Sequence, residues 1–282
     1  VVISDMNSSY GSKNYHPAVS KGIAQIARFS PDLAICTGDM VAGQKAGLDY
    51  AGMWESFHNV VTKPLAQLGI PFAVTPGNHD GTVGFKTERT EFIAQWKKQA
   101  SNLQFVSQEN FPVYYAFAVK KILFISLDAT LVGTLPTSQR TWLEKILKDN
   151  AHYEKKVLFG HLPIFPVTDQ KTNEFIDDPE LIKLMQDQKV DLFLSGHHHA
   201  YYPGIHQGIR QISQGCLGAG PRKILGATAV ASRSITVIDF KDDGTILVDA
   251  YGGEDLNQLI ERKTLPEKIE YKSRFMMRDD LL

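Results

Sequence analysis

Apolar and polar residues alternate along the chain in blocks of two kinds. Short apolar runs typical of buried strands occur at residues 1–4, 33–36, 70–74, 157–159 and 190–194. Longer segments with apolar residues at helical spacing lie between them, starting at Pro17 and Pro179 and covering residues 48–68, 87–99 and 136–147. This succession predicts an α/β fold in which helices connect the strands.

The remaining apolar segments have the alternation of antiparallel strands. Residues 113–119 and 122–127 flank Lys120-Lys121, which predicts a tight hairpin. Further strands are expected near residues 209–213, 234–240 and 245–251, with a hairpin turn at Asp242-Asp243-Gly244 between the last two. Residues 265–282 are charged and show no pattern that predicts a helix or a strand.

No internal repeat, low-complexity tract or linker divides the sequence. A length of 282 residues, of which 43% are hydrophobic, suits one large α/β domain with a substantial core. We therefore expect a single domain over residues 1–255, followed by a C-terminal tail, residues 256–282, that is packed on the domain or partly mobile.

Charge and cysteine content narrow the class of protein. The formal net charge is -1, from 30 basic and 31 acidic residues, and this balance argues against nucleic acid as a partner. Cys36 and Cys216 lie in or beside apolar runs, so two buried unpaired thiols are expected rather than a disulfide. No apolar run approaches the length of a transmembrane segment.

The sequence begins at Val1 with a strand-like run and without an initiator methionine. We expect that an upstream segment, either a tag or a signal peptide, has been removed. The location of the protein is therefore open between the cytoplasm and, if a signal peptide preceded Val1, an extracytoplasmic compartment. The oligomeric state is open as well.

Residues able to bind metal ions follow five of the predicted strands, usually after a glycine. These segments are Asp5-Met6-Asn7, Gly38-Asp39, Gly77-Asn78-His79-Asp80, Gly160-His161 and Gly196-His197-His198-His199. Parallel strands of one sheet end at the same edge, where open α/β sheets bind their ligands. Carboxylate, amide and imidazole groups together suit divalent cations such as Mn, Fe, Co or Zn. The sequence therefore predicts a metal site at the carboxyl ends of the strands.

Each of these segments alone has a simpler interpretation. Asp5 or Asp39 is more often a helix cap or a turn residue than a ligand. Gly77-Asn78-His79-Asp80 has the composition of a turn, and His161 suits a hydrogen-bonded histidine in the core. Five such strand ends in one chain favour the metal site over these alternatives.

The histidines divide into two groups. In an extended loop, residues two apart point the same way, so His197 and His199 are expected to face a metal ion while His198 points elsewhere. The other histidines lack a strand-end position and are expected to be structural or surface residues: His16, His58, His152 and His206.

In this order, the motifs resemble those of the calcineurin-like metallophosphoesterase superfamily. The signature of that family is Asp-x-His, Gly-Asp, Gly-Asn-His-Asp/Glu, Gly-His and Gly-His-x-His, and the match runs from Asp5 to His199. Residues 139–147 and the glycine-rich stretch 215–220 are similar to the family as well. The resemblance implies an α/β (α+β) fold in four layers, α/β/β/α, with two mixed sheets flanked by helices.

The resemblance further implies two divalent metal ions, Mn, Fe or Zn, that activate a hydroxide to attack phosphorus. The first ion would be bound by Asp5, Asn7, Asp39 and His199, and the second by Asp39, Asn78, His161 and His197. His79 would hydrogen-bond the phosphate or protonate the leaving group, and Asp80 would orient His79. The implied activity is metal-dependent hydrolysis of small phosphomonoesters or phosphodiesters.

One position departs from the family pattern, because Asn7 stands where the family usually has histidine. An amide oxygen is a harder and weaker ligand than imidazole, so the first site is expected to bind loosely or to favour Mn over Zn. Three alternatives follow: Asn7 binds through its oxygen, which we favour; water replaces it; or the first site is often empty. The purple acid phosphatase variant is disfavoured because Ala42 stands where that variant has tyrosine.

Substrate choice is expected to depend on the loops around the site. These loops are residues 7–14, 128–139, 163–178 and 218–233. Within them, Tyr10, Arg222 and Arg233 are candidates for contact with phosphate or an organic leaving group, although a surface or packing role is the favoured interpretation of each. The near-neutral charge makes a nuclease less expected than a phosphatase or phosphodiesterase. The alternative is a catalytically weak or inactive relative that binds a phosphorylated ligand or partner through the same cleft, against which His79 and Asp80 argue.

Overall fold

Two β-sheets lie face to face at the centre of the fold, which is described by a computed structural model covering residues 1–99 and 102–282. The strands in chain order are β1 (Val2–Ile3), β2 (Ala34–Cys36), β3 (Phe72–Val74), β4 (Gln104–Ser107), β5 (Tyr115–Val119), β6 (Ile122–Ser126), β7 (Lys155–Phe159), β8 (Leu192–Ser195), β9 (Tyr202–His206), β10 (Ile209–Ser213), β11 (Ile235–Phe240), β12 (Ile246–Gly252), β13 (Gln258–Leu259), β14 (Lys268–Tyr271) and β15 (Arg274–Arg278). Apolar side chains of both sheets meet between them, among them Ile35 and Ala73 from one and Phe117, Phe159 and Leu194 from the other.

Both sheets are mixed, with parallel strands at their centres. One has six strands in the order β13-β12-β11-β1-β2-β3, and the other nine in the order β14-β15-β9-β10-β8-β7-β6-β5-β4. Strands β1, β2 and β3 run parallel, as do β6, β7, β8 and β10. Because parallel neighbours end at the same edge of a sheet, the loops after β1, β2 and β3 and those after β7 and β8 are brought together.

Helices cover the outer face of each sheet. They are α1 (Pro17–Phe29), α2 (Tyr50–Phe57), α3 (Lys63–Gln67), α4 (Lys86–Lys98), α5 (Thr137–Asp149) and α6 (Pro179–Asp187). The first four pack on the six-stranded sheet around Ile3, Cys36 and Val74, and the last two pack on the nine-stranded sheet around Ile125 and Leu158. The predicted four-layer arrangement, two mixed sheets flanked by helices, is therefore confirmed.

The helix predicted over residues 48–68 is irregular at its middle. Between α2 and α3, residues His58–Thr62 form a π-helix in which the Lys63 N–H bonds to the His58 carbonyl, five residues back. Pro64 follows directly and has no N–H to continue an α-helical ladder. Phe57, Val61 and Leu65 stay buried along the whole segment, so the apolar face that predicts the helix is kept.

The pattern assigns no element to residues 265–282, and yet they contain two strands. Strands β14 and β15 pair antiparallel, and β15 pairs with β9 at the edge of the nine-stranded sheet. Ile269 and Met276 are buried, whereas Lys268, Glu270 and Phe275 are exposed. Charged residues on an edge strand oppose pairing with other chains. Here they also interrupt the apolar pattern from which a strand is predicted.

Other features agree with the sequence analysis. The hairpins at Lys120-Lys121 and Asp242-Asp243-Gly244 join β5 to β6 and β11 to β12. Cys36 and Cys216 are buried free thiols. Among the described residues, no helix has the length and apolar character needed to cross a bilayer.

Candidate metal centre

The ends of five strands meet at one edge of the two sheets. Asp5 and Asn7 follow β1, Asp39 follows β2, Asn78 follows β3, His161 follows β7, and His197 and His199 follow β8. Within a sheet, the Asp5 N–H donates to the Gly38 carbonyl at 3.1 Å and the Gly196 N–H donates to the His161 carbonyl at 2.9 Å. Between the sheets, His161 Nδ1 donates to the Thr37 carbonyl at 2.8 Å.

The backbone of this cluster is tightly packed and strained. At Gly77 a Cβ would lie 2.1 Å from the Asp39 amide nitrogen, so only glycine fits between these two loops. Asp5, Asp39, His197 and His199 have positive φ angles of 50°, 56°, 63° and 55°. Left-handed backbone costs roughly 1–3 kcal/mol at residues other than glycine and is concentrated at functional sites. Four such residues among seven candidate ligands support a functional site here.

Three histidines each donate one ring N–H outward. The donor–acceptor pairs, each 2.8 Å apart, are His161 Nδ1 with the Thr37 carbonyl, His199 Nδ1 with the Gly220 carbonyl, and His197 Nε2 with a Glu174 carboxylate oxygen. Carbonyl and ionised carboxylate oxygens can only accept, so these ring nitrogens carry the protons. The second nitrogen of each ring points into the cluster, where it can bind a metal ion or a proton.

The inward nitrogens face other acceptor atoms. His199 Nε2 lies 3.1 Å from Asp5 Oδ1. His161 Nε2 lies 2.8 Å from Asn78 Oδ1 and 3.2 Å from His197 Nδ1. Lone pairs at these distances repel one another unless a cation or a proton lies between them. The geometry therefore favours a bound cation.

Buried negative charge favours a cation as well. Asp5 and Asp39 are buried, and no lysine or arginine of the described chain forms an ion pair with either. One oxygen of each carboxylate and a ring nitrogen of His161 lie within 4.8 Å of one another. The Oδ1 atoms of Asp5 and Asn7 are buried and accept no hydrogen bond from any described residue. This donor set of carboxylate, amide and imidazole groups fits divalent metal ions.

The pKa values of these groups follow from the same charges. Burial alone would lower the pKa of His161, but the charge and hydrogen bond of Asp39 raise the pKa of His161 to about 9. Burial lowers the pKa of His197 to about 4, so this ring is neutral at pH 7. The hydrogen bond from His197 lowers the pKa of Glu174 to about 2, so its carboxylate is ionised. In the metal-free protein, a proton on His161 thus offsets the charge of Asp39.

His79 and Asp80 do not interact in the way the sequence analysis expects. The His79 backbone N–H donates to Asp39 Oδ1 at 2.9 Å, while His79 Nδ1 is buried without a hydrogen bond. The Asp80 carboxylate accepts from the Met40 N–H at 2.5 Å and from the Gly77 N–H at 2.6 Å. Within the described chain, nothing joins Asp80 to the His79 ring. The orienting role is corrected, because backbone donors engage both oxygens of Asp80 and it fixes the loops instead.

His198 holds the loop between β7 and α6 through three backbone hydrogen bonds. Its Nδ1 accepts from the Val167 N–H at 3.1 Å and the Thr168 N–H at 3.2 Å, and its Nε2 donates to the Glu174 carbonyl at 2.9 Å. Burial holds the pKa of His198 well below its usual value, so the ring stays neutral. The ring points away from the cluster, as expected, although the backbone at both neighbouring histidines is left-handed rather than extended.

A cavity of about 310 Å³ opens beside the cluster. It is lined by Asn7, Ser8, Ser9, Tyr10, His79, His199, Gly218, Ala219 and Gly220. The half-exposed Tyr10 ring lies 5.5 Å from the His79 ring, and Lys45 Nζ lies 4.4 Å from the Tyr10 ring centroid. Imidazole and hydroxyl groups thus line a space that suits a small anionic ligand, and the Lys45 ammonium group lies against the Tyr10 ring.

The two arginines considered for phosphate contact bind backbone carbonyls. Arg222 Nη1 donates to the His197 carbonyl at 2.6 Å. Arg233 donates to the carbonyls of Leu217 at 3.0 Å and Ala219 at 3.1 Å. Neither arginine lines the cavity. Both hold the loops that form the cavity wall.

Glu88, like Glu174, is an acidic residue near the cluster that the sequence pattern does not identify. It is fully buried in α4, and its Oε2 accepts the Gln44 N–H at 2.6 Å. The Gln44 side chain donates in turn to the Asn78 carbonyl at 2.7 Å. Charged residues surround Glu88 in the sequence, which is typical of an exposed helix face, so burial could not be predicted.

Stability is expected to depend on pH through Glu88. Burial raises the pKa of Glu88 to about 7, above the value of 4.5 for a free glutamate. The folded state therefore binds the proton on Glu88 more tightly than the unfolded state does. The stability that this bound proton contributes is lost as pH rises from about 4.5 to about 7. Glu88→Gln keeps the acceptor for Gln44 without the charge, and we expect it to stabilise the protein by about 1–3 kcal/mol above pH 7.

Urea unfolding of the metal-free protein at pH 5, 6, 7 and 8 checks this expectation. The difference between Glu88→Gln and wild type should grow with pH, while the control Glu91→Gln on the same helix should show no such trend. A difference that is constant across this range would contradict the buried, protonated state of Glu88.

Comparison with known proteins places the chain in a family. The sequence profile of the calcineurin-like phosphoesterases matches residues 1–201. A protein of Arcobacter nitrofigilis, named a probable glycerophosphodiester phosphodiesterase, is 32% identical over 162 residues, which cover 55% of this chain and 51% of that protein. The match thus spans about half the length of that relative.

Solved structures share the fold at low sequence identity. A purple acid phosphatase from seeds of yellow lupin (Lupinus luteus) matches 93% of this chain and 52% of its own, with a TM-score of 0.73 and 18% identity. A dimetal phosphatase from Danio rerio matches 92% of this chain and 96% of its own, with a TM-score of 0.62 and 13% identity. These likenesses concern the fold alone.

Proposed function

Because the chain belongs to the calcineurin-like phosphoesterase family, we propose that it hydrolyses phosphoester bonds with two divalent metal ions held at the strand ends. The proposal rests above all on the three histidines whose outward N–H groups are bound and whose inward nitrogens face oxygen or nitrogen acceptors. Such outward hydrogen bonds are what metal-binding histidines usually make.

The ligands divide between two sites that share one carboxylate. The first site consists of Asp5, Asn7, Asp39 and His199, and the second of Asp39, Asn78, His161 and His197. Asn7 fits the first site through its buried, unpartnered oxygen. When bound, two cations would supply Lewis-acid polarisation of the phosphoryl oxygens and would lower the pKa of water. Mn, Fe and Zn all suit this donor set, and the amide oxygen of Asn7 favours Mn.

The remaining residues position the substrate and move a proton. His79 lines the cavity beside Asn7 and His199, so its ring can hydrogen-bond a phosphoryl oxygen or protonate the leaving oxygen. The His79 backbone is fixed by its bond to Asp39 Oδ1. Asp80 is a positioning residue, since it binds the backbone of both loops that carry Asp39 and His79.

A small phosphodiester is the substrate class we propose. The name of the Arcobacter relative, a probable glycerophosphodiester phosphodiesterase, supports a diester. A cavity of about 310 Å³ is large enough for a phosphate with a small alcohol group. The net charge of -1 gives no support to a nucleic acid substrate.

Metal removal and replacement tests this function. Protein stripped with a chelator should not hydrolyse a glycerophosphodiester or bis(4-nitrophenyl) phosphate, and Mn should restore hydrolysis of both. We expect slower hydrolysis of 4-nitrophenyl phosphate, a monoester. Absence of turnover with Mn, Fe, Zn and Co on all three substrates would overturn the enzyme proposal, and phosphate binding without turnover would favour a non-catalytic relative.

A further inference from the structure

Glu174 contacts two neighbouring histidines of the candidate metal centre. Its carboxylate oxygen Oε2 lies 2.8 Å from His197 Nε2, and its backbone carbonyl accepts from His198 Nε2 at 2.9 Å. The residue lies in the polar segment 163–178 between β7 and α6, far from β8 in the sequence. One residue of this segment thus holds both histidines.

The contact with Glu174 decides which nitrogen of His197 faces the cluster. An ionised carboxylate cannot donate, so His197 Nε2 carries the proton and Nδ1 keeps its lone pair. Nδ1 lies 3.2 Å from His161 Nε2, inside the cluster. Without an acceptor at Nε2, the proton could lie on either nitrogen and the ring could turn.

Two further sets of contacts hold Glu174 in place. Lys171 Nζ lies 2.8 Å from Oε1 and 2.7 Å from Oε2, so it fixes the orientation of the carboxylate. The C-terminal strands anchor the same segment, because Tyr271 Oη donates to Asn173 Oδ1 at 2.6 Å and Arg274 pairs with Asp177 at 2.7 Å. The segment is therefore braced on both sides of Glu174.

We propose that Glu174 is a positioning residue that sets the tautomer and ring orientation of His197, and thereby the metal affinity of the second site. The inference rests on the proposed metal pair. Glu174 itself touches none of the other candidate ligands through its side chain: its hydrogen bonds and ion pairs within the described chain go to His197 and Lys171.

The test measures metal content directly. Wild type, Glu174→Ala, Glu174→Gln and the control Asp177→Ala are dialysed against a series of free Mn concentrations and analysed for bound metal. The control removes an exposed contact of the same segment without touching a histidine. Wild type should bind two ions, and Glu174→Ala should bind one as tightly and the other about 10–100-fold more weakly. Asp177→Ala should match wild type.

The variant Glu174→Gln distinguishes an effect on the orientation of His197 from an effect on the stability of the whole protein. An amide oxygen also accepts from His197 Nε2, so this variant should recover most of the affinity that alanine loses. The visible absorption of the cobalt-substituted protein, which reports the ligands of the ion, should change in Glu174→Ala and not in Asp177→Ala. The unfolding temperature of the metal-free protein should be alike in all four.

Two results would overturn the inference. Equal Mn binding by wild type and Glu174→Ala would show that Glu174 has no influence on the second site. An equal loss at both sites, with a lower unfolding temperature of the metal-free variant, would show a structural role alone. Wild type that binds no metal would instead refute the proposed function, so the two failures are distinguishable.

Discussion

Replacing Asp39 with asparagine is expected to lower kcat/KM for diester hydrolysis by about 10³-fold or more. Asp39 is the one residue assigned to both metal sites, and it is buried at the end of β2. The amide of asparagine has nearly the same shape and still accepts the His79 N–H that Asp39 Oδ1 binds at 2.9 Å. The negative charge that we propose for binding both cations is removed, and we expect several kcal/mol of transition-state stabilisation to be lost with it.

The matched control lies at the other end of the same strand. Asp32 precedes β2, is exposed and pairs with Lys120 at 2.8 Å, so Asp32→Asn should leave kcat/KM unchanged. Metal analysis should find fewer than two Mn ions in Asp39→Asn and two in Asp32→Asn. An Asp39→Asn protein with wild-type turnover and two bound ions would contradict the proposal that Asp39 serves both metal sites.

His79→Ala is expected to lower the rate by about 10²–10⁴-fold while metal content stays unchanged. The backbone bond from His79 to Asp39 remains in this variant, and the ring is not among the proposed ligands. The loss should be larger for a glycerophosphodiester than for bis(4-nitrophenyl) phosphate. An alkoxide is a poor leaving group that needs a proton, whereas nitrophenolate leaves without one.

The control for this variant is Tyr10→Phe. It keeps the ring that lies 5.5 Å from His79 and lacks only the hydroxyl, so it should affect both substrates alike. If His79→Ala slowed both substrates equally, the ring would bind phosphate without donating a proton. If His79→Ala were as fast as wild type on both substrates, His79 would have no part in the chemistry.

The central strands of the fold are predictable because each is an apolar run that ends in polar residues, usually after a glycine. Strand β9 is not, since Pro203 and Gly204 both disfavour strands. It is held in place by pairing with β10 on one side and β15 on the other. Strands β14 and β15 escape prediction because charged residues interrupt or flank their few apolar residues, and their pairing is set by the sheet they extend.

The sequence predicts which residues form the candidate site, but it does not predict the hydrogen bonds that hold them in place. The strand-end pattern identifies the seven candidate ligands, whose backbone and side chains the fold brings together. The partners Thr37, Gly220 and Glu174, which fix the three histidines, lie on other elements and carry no local signal. The tasks of Asp80 and His198 depend likewise on backbone donors distant in the sequence.

Crystallography of the protein grown with Mn tests the central claim most directly. Anomalous difference maps should show two peaks on either side of the Asp39 carboxylate, one beside Asp5, Asn7 and His199 and the other beside Asn78, His161 and His197. A single peak, or peaks away from these side chains, would contradict a metal pair at the strand ends.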